Sequence, residues 1–291
     1  MPGDAAAVKT NGDMRDRLTG ALRKARAAYA EVRFERTRAS RVVFRGKRLE
    51  VAQESVDAGG NVRVLFEGRG WGVASFTTLD DLPAVLAAAE ELSRAVVLDQ
   101  PIRLAVATPR VDEVAPAVDG DPFEVSLAEK RRYLEHLNAL MLGLSDRIAD
   151  TSATYYDQRT DWWYANTEGT WLYELRPEIG LSAQATARDG ERIERSLESL
   201  GLRNGWRSVQ GKDEMFLAAA RRALDLLTAP TVQGGTYPVV LDPRLAGVFV
   251  HEAFGHLSEA DFVYENPQAR EMMTLGRRFG SDIVTIGDDG S

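Results

Sequence analysis

The hexapeptide His251-Glu252-Ala253-Phe254-Gly255-His256 holds two of the three histidines of the chain, five residues apart, with a glutamate directly after the first. Neutral imidazoles that hold Zn²⁺, and a carboxylate that moves a proton from water to a leaving amine, are the residue set of a zinc hydrolase. The spacing constrains the backbone. The common zinc-helix motif has its histidines at i and i+4, about 40° apart around the helix, so both rings fall on one face. At i and i+5 the separation is about 140°, and regular winding points the rings apart. If both bind one ion, the helix must depart from regularity between Ala253 and His256, by a one-residue π-type widening or an irregular turn at Gly255. The plain alternative is a helix that carries two unrelated histidines.

The surrounding sequence is more specific. Leu241-Asp242-Pro243-Arg244-Leu245-Ala246-Gly247-Val248-Phe249-Val250 leads into the motif, and Leu257-Ser258-Glu259-Ala260-Asp261 follows it. Further on stand Gly276, Phe279-Gly280-Ser281 and Ile283-Val284-Thr285-Ile286-Gly287-Asp288-Asp289-Gly290, and upstream lies Tyr164-Ala165-Asn166-Thr167-Glu168-Gly169. This set resembles the TldD/PmbA metalloproteases, in the branch that keeps its histidines. The resemblance covers most of the second half of the chain; the first hundred residues match only in their order of elements.

The resemblance implies that His251 and His256 are zinc ligands and Glu252 the general base. It implies a zinc-dependent metallopeptidase that cleaves unfolded or leader-like peptides. The expected assembly is a homodimer, or a heterodimer with an inactive TldE/PmbA-like relative. It further implies a third ligand, a cysteine near the C-terminus of a considerably longer protein, whereas this sequence has no cysteine. Gly287-Asp288-Asp289-Gly290-Ser291 is turn chemistry that leads from one strand to the next, so the chain reads as an N-terminal portion with an incomplete last domain. Glu259 and Asp261 are the local carboxylates placed to substitute as a ligand or to hold a ligand histidine from behind, and for Asp261 helix capping is an equal alternative. The rival function is a non-catalytic peptide- or partner-binding fragment that lacks the third ligand.

Charge narrows the partners. A net charge of −8 argues against nucleic-acid binding, which needs a basic face, and gives no support to the gyrase modulation in the family's older name. Neither a signal peptide nor a run of membrane-spanning length is found, so a soluble cytoplasmic protein is expected. The 44% hydrophobic and 27% charged residues suffice for a buried core. Met1 to Gly12 reads as a short disordered lead.

The fold reads as α+β, with antiparallel sheets covered by helices on one side and a metal-binding helix near the C-terminus. The domains expected are 1–98, a Pro-containing linker 99–123, 124–230, and a catalytic domain from 231 to 291. In the first, a helix from Asp13 to Tyr29 precedes a meander from Ala30 to Thr77 that turns at Gly46, Gly59-Gly60-Asn61 and Glu67-Gly68-Arg69-Gly70. A helix over 80–94 covers it. In the second, a helix from Ser126, with Glu129 completing a capping box, runs to Leu144 along a stripe of Tyr133, Leu137, Leu140 and Leu144. His136 falls on its solvated side. Strands follow over 148–157, 161–166, 170–187 and 192–200. Within them Trp162 and Tyr164 share one face and Trp163 the other, as core or inter-domain packing. A helix over 213–227 packs through Phe216, Ala220 and Leu224. A strand over 237–241 then precedes the metal helix, which Asp242 caps, Pro243 opens and the stripe Leu245, Val248 and Phe249 anchors.

Overall fold

A computed structural model describes residues 11–287. Most of the expected N-terminal lead and the last residues of the expected C-terminal turn lie outside this range. The chain divides into two units, 1–229 and 230–291. The first contains α1 (Asn11–Leu22), β1 (Tyr29–Arg45), β2 (Arg48–Leu65), β3 (Trp71–Phe76), α2 (Leu82–Ala95), β4 (Val111–Val114), α3 (Leu127–Gly143), β5 (Ile148–Asn166), β6 (Trp171–Asp189), β7 (Arg192–Leu202) and α4 (Asp213–Leu226).

Its strands form one seven-stranded sheet in the order β3-β2-β1-β5-β6-β4, with β7 also on β6. Every pairing is antiparallel except β4 with β6. The architecture is α+β, as the pattern of elements predicts. Because β1 lies along β5 from Glu31↔Asn166 to Arg45↔Ser152, the strands on both sides of residues 99–123 belong to a single sheet.

Alternation decides which face is covered. Ala30, Val32, Phe34, Val42 and Phe44 of β1 and Ala153, Tyr155, Trp163 and Ala165 of β5 point to one side, and all are buried. Two apolar clusters form there. Met14, Leu18, Leu82 and Leu86 of α1 and α2 join one; Leu134, Leu137, Met141, Phe216 and Ala220 of α3 and α4 join the other. The opposite face, with Arg33, Glu35, Tyr156 and Trp162, carries no described helix of this unit.

The structure departs from several sequence expectations. The first helix stops at Leu22, and Tyr29 opens β1. Gly59-Gly60-Asn61 is no turn but the middle of β2. A Cβ on Gly60 would meet the Arg33 carbonyl and lie 2.6 Å from Phe76 Cζ, so this glycine serves close packing. The turns at Gly46 and Gly68 are present, with φ of 53° and 69°. The expected break over 158–160 is absent, since β5 runs through it. The buried side of α3 is rotated from the expected stripe and comprises Lys130, Leu134, Leu137, Asn138 and Met141. Ser126 Oγ does accept from Glu129 N, at 3.2 Å. Trp163 is buried, while Trp162 stacks on Tyr164 on the open face, centroids 5.9 Å apart.

The second unit contains α5 (Pro243–Val250), a π-helical turn over His251–Gly255, a 3₁₀ turn over His256–Ser258, α6 (Ala260–Glu265) and α7 (Pro267–Met272). Residues 237–241 form no strand, for no partner strand is present among the described residues of this unit. Leu245, Val248 and Phe249, expected as a buried stripe, are exposed.

Candidate metal centre

The site is built on a capped helix. Asp242 Oδ1 accepts from Leu245 N at 2.9 Å, and Pro243 occupies the first turn, where its missing N–H costs nothing. Regular winding then gives way to the π turn, which His256 N–H closes by bonding to the His251 carbonyl five residues back. The extra residue in the turn offsets the i+5 spacing. The His251 and His256 rings come to 4.5 Å between centroids at an interplanar angle of 68°. Gly255 contributes no unusual backbone, with φ −54° and ψ −54°. The departure expected between Ala253 and His256 is therefore carried by hydrogen-bond slippage over 251–255.

Potential metal-donor atoms of His251, Glu252 and His256 lie within 4.8 Å of one another. No other group of three or more histidine, aspartate or glutamate donors lies so close among the described residues. Glu252 Oε2 is 3.5 Å from His256 Nε2. Behind the ring, His256 Nδ1 and Glu259 Oε1 are 2.6 Å apart. When Nδ1 carries the proton it donates to Glu259, and Nε2 is left as a lone pair facing His251 and Glu252. That same bond, helped by the charges of Glu259 and Glu252 against slight desolvation, raises the His256 imidazole above its ordinary pKa. Asp261 stands apart, in the first turn of α6, and its Oδ1 accepts from Phe262 N at 2.8 Å. His136 lies in the first unit, 2.7 Å from Asp213.

The donor chemistry fits a borderline-soft divalent ion: two imidazoles converge with a carboxylate beside them, all solvent-accessible. A helical pair of histidines with an adjoining glutamate is the donor arrangement that metallohydrolase centres use.

Comparison with known proteins agrees with that class. Models described as PmbA/TldA metallopeptidase domain 1, central domain and C-terminal domain match residues 30–96, 120–229 and 234–291. The chain belongs to the PmbA/TldD metallopeptidase family. A metalloprotease of Synechocystis sp. is 38% identical over 91% of this chain and 57% of its own length. A zinc metalloprotease TldD homolog of Saccharolobus solfataricus is 26% identical over 90% of this chain and 56% of its own. The chain thus spans little more than half the length of these relatives. Among solved structures, a protein of Bacteroides thetaiotaomicron described as a candidate modulator of DNA gyrase shares the fold. Its TM-score is 0.71 at 18% identity, over 85% of this chain and 57% of that one. TldE of Thermococcus kodakarensis gives a TM-score of 0.55 at 12% identity, over 72% of this chain and 47% of that one.

Proposed function

We propose that the protein is a zinc-dependent metallopeptidase of the active, TldD-like branch, acting on unfolded or leader-like peptides. The convergence of His251 and His256 through the π turn is the observation that supports it. His251 and His256 hold the ion, which when bound supplies Lewis acidity toward a water and the scissile carbonyl. Glu252 takes the proton from the attacking water and returns it to the leaving amine. Glu259 accepts from His256 Nδ1 and so fixes the ring with Nε2 toward the ion. Asp261 steadies the start of α6.

With Glu252 as the base, the described residues supply two imidazole ligands, one fewer than a catalytic zinc site takes. Residues 1–291 by themselves are therefore expected to bind zinc weakly and cleave nothing, which fits the second reading of a peptide- or partner-binding fragment. A chain of the relatives' full length is expected to hold zinc and digest casein. In that longer form Glu252→Gln should retain zinc while turnover falls by at least about 100-fold, the scale of a lost general base; retained proteolysis removes Glu252 from this role. Stoichiometric zinc with cleavage by residues 1–291 alone would refute the missing-ligand reading.

The division into 1–98, the linker 99–123, 124–230 and 231–291 is proposed as well, supported by three family models that match separately. We place the protein in the cytoplasm, without membrane or nucleic-acid partners. No described helix is long and apolar enough to cross a membrane. Its proposed assembly is a homodimer or a pair with a TldE/PmbA-like relative, to be read from the mass of the complex in solution.

A further inference from the structure

On the open face of the sheet, away from the histidines in sequence, lies a cleft of about 490 Å³ lined by β1, β2, β3, β5, β6 and the segment 104–110. Its floor is charged and buried. The Glu31 side chain, 6% exposed, is saturated by its own surroundings. Its Oε2 accepts from the Tyr29 hydroxyl at 2.7 Å and the Tyr164 hydroxyl at 3.0 Å, while Oε1 is 3.2 Å from Arg63 Nη1 and 3.5 Å from Arg33 Nη2. Burial, together with the Tyr164 and Glu31 contacts, holds the Tyr29 hydroxyl protonated well beyond the ordinary range, so it serves Glu31 as a donor.

Glu31 positions Arg63. The guanidinium is pinned between that carboxylate and the Trp71 ring, 4.3 Å from its centroid. Its remaining N–H groups have no acceptor among the described residues, and the side chain is 35% exposed. Arg110 lines the same cleft, held by its backbone to Thr170 Oγ1 and Trp171 N, and forms no ion pair among the described residues. A preorganised arginine fork and a second unpaired guanidinium beside aromatic walls make a receptor for a carboxylate joined to an apolar group.

We propose that this cleft anchors a peptide by a carboxylate, with Arg63 and Arg110 gripping the anion and Tyr29, Trp71 and Tyr164 receiving the adjoining side chain. That the carboxylate belongs to a peptide rests on the peptidase reading; the anion chemistry does not. The carboxylate can be the chain terminus or an acidic side chain. Glu168, at the exposed rim, repels either one.

The test is fluorescence anisotropy on the full chain carrying Glu252→Gln, so that nothing is cleaved. Three N-terminally labelled oligoalanine probes are used: one ending in phenylalanine with a free carboxylate, its C-terminal amide, and an amide with an internal aspartate. The expected result is tighter binding of the free acid than of the amide by about 10-fold, the worth of a charge-assisted pair. Recovery of affinity by the aspartate probe identifies the side chain as an equal source, and no recovery identifies the terminus. Arg110→Gln and Arg63→Lys should each erase about 10-fold of the free-acid affinity and leave the amide unchanged. Glu168→Gln should tighten the free acid by about threefold. Equal affinity for acid and amide, indifference to both arginine changes, or no binding of any probe overturns the proposal. Because only binding is read, this outcome is separate from that of the peptidase reading: no proteolysis by the chain of the relatives' full length with Glu252 intact, alongside preserved acid selectivity, would sink the peptidase reading alone.

Discussion

Glu259 illustrates what a single residue adds to the proposed metal centre. It lies three positions after His256 and grips the imidazole nitrogen that faces away from His251. Glu259→Ala is expected to lower zinc affinity by about 10–100-fold, as losing the partner of a ligand histidine does; competition against a chromophoric chelator measures it, and an unchanged affinity counts against the assignment. Glu90 shows the same economy in the scaffold. Burial opposes its ionisation. The Arg26 amide at 2.7 Å, the Arg26 Nε at 2.9 Å and Arg94 at 3.2 Å outweigh this and hold the carboxyl below its ordinary range. A depressed folded-state pKa stabilises fully above the unfolded value, near about 4.3, and the benefit fades as pH falls through the folded one. Glu90→Gln should therefore cost about 1–3 kcal/mol at pH 7 and progressively less toward pH 3, as urea unfolding at the two pH values will show.

At the scale of elements, the informative departures are packing effects that local pattern does not encode. A Gly-Gly-Asn run is ordinary turn chemistry, yet Gly60 sits mid-strand because the Phe76 ring and the Arg33 carbonyl occupy the space of a side chain. Gly72 is alike: a Cβ there would strike the Ala89 carbonyl of α2. Gly60→Ala should destabilise by about 1–3 kcal/mol through overpacking, visible as a lower melting temperature; a neutral outcome would return Gly60 to a purely conformational role. The π turn is the opposite case, because the two histidines and their i+5 spacing foretell it as soon as one ion is required to bind both. The caps at Ser126 and Asp242 were also legible, since N-capping depends on neighbours within one turn.

Across the whole first unit, the two apolar clusters are joined by a buried polar knot. Lys130 Nζ of α3 lies 2.6 Å from Asp157 Oδ2 of β5, with both side chains fully buried. Ser40 Oγ of β1 accepts from Lys130 at 2.8 Å and donates to Asp157 at 2.6 Å, and Tyr155 donates to the same carboxylate at 2.5 Å. Helix and both central strands are thereby fixed in one register. Lys130→Met strands a buried carboxylate and is expected to cost about 3–5 kcal/mol, whereas Lys130→Met with Asp157→Leu should recover most of the loss. Denaturant midpoints of the single and double variants decide this, and an additive double variant would show that the pair is not coupled. The sequence offered no sign of the knot, because its members come from three elements and a lysine on a helix reads as a solvated face.

What the chain determined by itself is what lies within a few residues: alternation along strands, the Asp242 cap, the acidic charge, and the histidine spacing that demands a widened turn. Tertiary structure alone decided the rest. It made one sheet from strands on both sides of residues 99–123, placed Arg63 between Glu31 and Trp71, and rotated α3 to bury Lys130. Each of these depends on contacts between residues far apart in sequence, whose energy exists only once the sheet has formed and water has left one of its faces.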